Sequence, residues 1–110
     1  MSIRAIKYDP RTKEFSEVTI NGLDDYYKHL ECRIFDIVRL SEDIDVYVDD
    51  EGLFNSGSPV TELIGFGREI MLAGVLLFTG GGDDMGDTMS FKGSIEDIQK
   101  IVKETNLVVK

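Results

Sequence analysis

The sequence predicts an α+β fold: a mixed, mostly antiparallel sheet with two short helices packed on it. Three observations carry this. Two pairs of β-prone segments are joined by short polar turns, within residues 3–20 and 33–49. A longer apolar stretch at 69–79 has no polar face and needs cover on both sides. Two further segments, near 22–31 and 94–104, space their apolar residues as one face of a helix.

The elements follow in order. Ile3, Ile6 and Tyr8, then Phe15, Val18 and Ile20, form a hairpin across a turn in which Pro10 presets φ. Asn21 is placed to cap a helix whose Leu23, Tyr26, Tyr27 and Leu30 recur at helical spacing, with Asp24 in the first turn where the helix dipole favours negative charge. Residues 33–40 are apolar on both alternating faces and read as an inner strand, whereas Ile44, Val46 and Val48 alternate with Asp45, Tyr47 and Asp49, a pattern with one wet face. Residues 53–67 read as irregular, punctuated by Gly57, Pro59, Gly65 and Gly67, with one helical turn near 60–63. The stretch 69–79 reads as one long central strand, with Gly74 marking a bulge or a close backbone approach. Residues 80–87, with three successive glycines and nearby carboxylates, read as a mobile loop. Ser94 and Asp97 have the spacing of a capping box, and Ile95, Ile98, Ile101 and Val102 continue it as a helix to about Glu104. Residues 106–110 close the chain as a short strand or docked tail.

A chain of 110 residues fits one domain, 1–110. Its net charge of −9 is unevenly placed: residues 1–40 hold seven Lys/Arg and seven Asp/Glu, and residues 41–110 hold five against fourteen. An acidic face repels phosphates and lipid headgroups and attracts basic protein surfaces. The expected partner is therefore a protein with a basic surface; neither nucleic acid nor membrane is expected, and a homo-oligomer is left open. Arg4, Lys7, Arg11 and Lys13 make only a small basic cluster. The longest apolar run, 70–78, is far shorter than the roughly 20 residues of a membrane helix. Cys32 stands alone and allows no internal disulfide, which suits a reducing, cytoplasmic setting.

The residue types that carry chemistry are sparse. His29 and Cys32 lie three residues apart, but Glu31 and Asp36 beside them should raise the thiol pKa rather than lower it. One histidine and one cysteine do not make a structural zinc site, and neither acidic run has the spacing of a calcium loop. Gly80, Gly81 and Gly82 follow a strand as a phosphate loop would, yet Asp83 and Asp84 occupy the place where phosphate charge must go. No catalytic residue, metal or cofactor is expected. The candidate binding residues are Asp45, Asp49, Asp50 and Glu51 on the acidic face. The alternative is a small-ligand pocket, for a nucleotide or divalent metal, formed by the loops that carry Asn55, Arg68, Asp83, Asp84 and Asp87.

Four features occur in a familiar order: the strand 32–40, the acidic strand ending in Asp49, Asp50, Glu51 and Gly52, the apolar run 71–78, and the Gly/Asp-rich loop leading into 91–98. In this the chain resembles domain of unknown function 3846, a family of small proteins common in phages, conjugative elements and Gram-positive bacteria. Its relatives often carry an Asn-Arg pair after the acidic turn; here Asn55 stands without the Arg. The resemblance implies an α+β fold and a mobile-element or bacterial cytoplasmic setting, and no particular activity.

Overall fold

The computed structural model describes residues 2–82 and 87–110. In chain order its elements are β1 (Ile3–Asp9), β2 (Glu14–Ile20), α1 (Leu23–Leu30), β3 (Phe35–Arg39), β4 (Ile44–Asp49), a 3-10 turn (Gly52–Phe54), β5 (Pro59–Leu63), β6 (Ile70–Ala73), β7 (Leu76–Gly80), α2 (Ile95–Gln99) and β8 (Val102–Val108). The fold is α+β in the broad sense and dominated by sheet. Two sheets form rather than one, five strands in the order β2-β1-β7-β4-β3 and three in the order β6-β5-β8. Every strand pair among the described residues is antiparallel, so the sheet is not mixed.

Both predicted hairpins form, and α1 lies where the apolar spacing puts it. Its N-cap is the extended Gly22 rather than Asn21, whose backbone N–H instead donates to the Asp25 carboxylate at 2.7 Å. The five-stranded sheet has two covered faces. Ile6, Tyr8, Val46, Val48, Leu76 and Phe78 face the three-stranded sheet and α2, packing with Leu63, Ile70, Phe91 and Ile98. Ala5, Ile20, Tyr47 and Leu77 face α1 through Tyr26 and Leu30. Tyr26 stacks on Tyr47 with ring centroids 4.3 Å apart. The alternation along each inner strand thus feeds two cores at once.

The stretch 69–79 is not one strand. At Gly74, φ is +87°, a left-handed conformation that suits glycine, and the chain turns there from β6 in one sheet to β7 in the other. β7 is the central strand, with Phe78 paired to Ile6 on one side and Val46 on the other. The segment expected to be a helical turn near 60–63 is β5, the middle strand of the smaller sheet. The capping box of α2 is present, yet the helix stops at Gln99 and β8 begins at Val102, paired to Leu63. β3, expected inside, is an edge strand with Ile37 half exposed. The glycine run itself is closely packed. A Cβ on Gly80 or Gly81 would overlap the carbonyls of Ser90 or Glu42, and Gly82 bridges to Thr88. Asp83 and Asp84 lie outside the described residues.

Candidate functional site

The far end of the β3–β4 hairpin gathers most of the predicted acidic residues. The Asp50 N–H donates to the Ile34 carbonyl at 2.9 Å and closes that end of the ladder. Asp49 then organises the turn: one carboxylate oxygen accepts the Glu51 N–H at 2.9 Å, an Asx turn, and the other accepts the Asn55 side-chain amide at 3.2 Å. Gly52 follows because the chain presses against β6 there. A Cβ at this position would stand 2.8 Å from the Ala73 carbonyl oxygen. Asp49, Asp50, Glu51 and Asn55, assigned from sequence to two different sites, therefore form one neighbourhood.

Two small hollows share Asp49. One, about 230 Å³, opens between the two sheets, with Asp36, Asp49 and Asp50 at its rim and Val38, Val48, Met71 and Leu72 as apolar lining. The other, about 200 Å³, is lined by Arg11, Glu31, Asp49, Asn55 and Ser58 among others. Arg11 bridges Asp9, at 2.9 Å, and Glu31, and its hydrogen bond holds the Asp9 carboxyl below the usual carboxylate range. Arg33 donates to both oxygens of Glu51 at 3.0 Å. Six carboxylates (Asp9, Glu31, Asp36, Asp49, Asp50, Glu51) thus meet two guanidiniums. Asp36 and Asp50 are exposed and form no ion pair among the described residues.

Cys32 registers the same field. Burial pushes its thiol up first, and the carboxylates of Asp49 and Glu51 push it further. The His29 imidazole is shifted down, chiefly by burial and then by Lys7. A thiol raised in this way is the reverse of an activated nucleophile.

The other predicted residues lie elsewhere. Asp45 is not on a wet face: it is only 6% exposed, on an inner strand, with its Oδ1 3.3 Å from the Nε of Arg39. Tyr47, expected on the same wet face, lies under α1. Arg68 sits at the opposite end of β3 and donates to the Arg39 carbonyl at 2.6 Å. Asp87 lines a third hollow with Leu23, Tyr26 and Thr88, while Gly80, Gly81 and Gly82 line a cleft of about 870 Å³ with Glu42, Asp43 and Lys92. The two loops proposed for one pocket thus line separate hollows.

Asp36 was missed as a site residue, although the lone carboxylate of this strand, set between Phe35 and Ile37, is a visible signal. Among the described residues no group of three or more His, Cys, Asp or Glu is placed to hold a metal ion, and no helix is long and apolar enough to cross a membrane.

A family model described as domain of unknown function (DUF3846) matches residues 3–105, nearly the whole chain. The chain belongs to the DUF3846 family. No curated protein and no solved structure matches it. In this DUF3846 domain the acidic turn and Asn55 therefore lie within the span that the family model covers.

Proposed function

We propose that this DUF3846 domain is a non-enzymatic accessory protein that binds a basic partner protein through its acidic end, in the bacterial or mobile-element cytoplasm that the resemblance implies. The observation that carries this reading is the rim of the groove between the sheets. There Asp36 and Asp50 stand exposed, in no ion pair among the described residues, beside an apolar lining. Such a combination suits a lysine or arginine, whose aliphatic stem covers apolar surface while its head meets carboxylates. The acidic surface is smaller than the sequence implies, because Asp45 is buried and Glu51 is engaged by Arg33.

The test compares the wild type with D36N/D50N and with D24N/E96N, which removes the same charge from the first turns of α1 and α2. Binding of a lysine-rich peptide, measured by calorimetry at low salt, should weaken roughly three- to tenfold in D36N/D50N and little in the control, given about 0.5 kcal/mol per exposed pair. It should also fall steeply as salt rises. Equal loss in both variants would mean that net charge alone, not this end of the molecule, governs binding.

A second reading rests on the cleft of about 870 Å³ beside Gly80, Gly81 and Gly82, which is large enough for a small ligand. A thermal-shift screen against nucleotides, calcium and magnesium tests it. A ligand held at a hundred times its dissociation constant stabilises by about 2.7 kcal/mol. A flat screen removes this reading.

A further inference from the structure

β3 is the last strand of the five-stranded sheet, and its outer edge is only partly closed. The ladder bonds to β4 begin at the Ile34 carbonyl and end at the Leu40 N–H, so the even-numbered residues point their backbone groups inward and Phe35, Ile37 and Arg39 point theirs outward. Two of those outward groups are occupied by side chains. The Asp36 carboxylate accepts the Ile37 N–H at 2.9 Å, and Arg68 donates to the Arg39 carbonyl. The N–H and C=O of Phe35 and the C=O of Ile37 have no hydrogen-bond partner among the described residues. Unpaired groups of this kind are a template for another strand.

We propose that the Phe35–Ile37 stretch of the β3 edge accepts an extended segment of a partner protein as a sixth, antiparallel strand, and that this segment alternates Lys or Arg with aliphatic residues. The alternation follows from the two faces of β3. On one face Asp36 and Val38 border the groove whose rim carries Asp49 and Asp50 and whose lining includes Met71 and Leu72, so an incoming side chain opposite Asp36 meets carboxylates over an apolar floor. On the other face Ile37 is 47% exposed, so the neighbouring position of the incoming strand meets aliphatic surface. Asp36 acts as a placeholder. It satisfies the Ile37 N–H in the free protein and exchanges that bond for a cation when a partner carbonyl takes its place. This inference deepens the proposed function and rests on it, adding the backbone pairing and its register.

The probe is a nine-residue peptide alternating lysine and valine, with two relatives N-methylated at either all valines or all lysines. In antiparallel register the valine amides face β3 and the lysine amides face solvent. The parent and the lysine-methylated peptide should bind alike, and the valine-methylated peptide about tenfold more weakly, as two lost hydrogen bonds imply. Amide hydrogen exchange at Phe35 and Ile37 should slow on binding, while the already bonded amides of Leu40 and Asp50 should not change. If all three peptides bind equally, lose affinity with salt and leave Phe35 and Ile37 unprotected, strand addition is overturned and the acidic-end reading stands. If none binds at low salt, both fall.

Discussion

Asp49 spends its charge locally. Both of its oxygens are taken, by the Glu51 N–H and by Asn55, so it shapes the acidic turn more than it advertises it. Asp50 does the reverse, and Asp36 lies between the two, with one oxygen accepting the Ile37 N–H and no ion pair among the described residues. Asp45 shows why the distinction escapes a reading of sequence: alternation along β4 is real, but β4 is an inner strand between β3 and β7, and α1 covers its second face at Tyr47. There Arg39 supplies the partner that makes a buried carboxylate tolerable. The field at this end has a chemical readout in Cys32, whose pKa burial raises first and Asp49 and Glu51 raise further. The thiol should therefore react slowly with an aromatic disulfide reagent at pH 8. Glu51→Gln should speed the reaction roughly two- to threefold by removing one of the carboxylates that disfavour the thiolate. An unchanged rate would show that burial alone governs this thiol.

Elements whose signals are local were legible, and those decided by tertiary contacts were not. The β1–β2 and β3–β4 hairpins, α1 and the capping box of α2 each announce themselves through a turn, a helical spacing or a paired cap. The break between β6 and β7 does not, because an apolar run from Ile70 to Phe78 looks the same whether it serves one sheet or two. Ile101 and Val102 extend a helical spacing, but β-branched residues suit a strand equally well, and pairing with Leu63 decides for β8. The acidic turn was legible for the same reason as the hairpins. The groove above it was not, since Met71 and Leu72 reach it only because the chain turns at Gly74. That corner carries a prediction: Gly74→Ala places a Cβ on a backbone with φ of +87°, with nothing within 4 Å to obstruct it. The cost is then backbone strain alone, about 1–2 kcal/mol, read as a lower urea midpoint with an unchanged slope. A neutral substitution would mean that the corner relaxes freely to negative φ.

At the scale of the molecule, acidification should weaken the fold in two stages. His29 has a native pKa below its ordinary value of 6.5, so the native state favours the neutral ring. The stability this gives is complete above 6.5 and is lost as pH falls through the lowered native value. Asp9 is likewise held below its ordinary 3.8, so its contribution is present above that pH and is lost as pH falls through its native value. The urea midpoint should therefore decline first below about pH 6.5 and again below about pH 3.8, and His29→Gln should abolish only the first decline. A midpoint that holds level between pH 7 and pH 5 in the wild type would contradict the first stage. The position of β7 has a kinetic corollary. The two hairpins that precede it in the chain pair across the sheet only through this strand, so until residues 76–80 leave the ribosome the one element that can join them is α1, whose Tyr26 and Leu30 pack on both. During synthesis they wait as two-stranded ribbons without a shared sheet, marginally stable in that form. Assembly of the larger sheet is then one late, concerted event paced by the arrival of its middle strand.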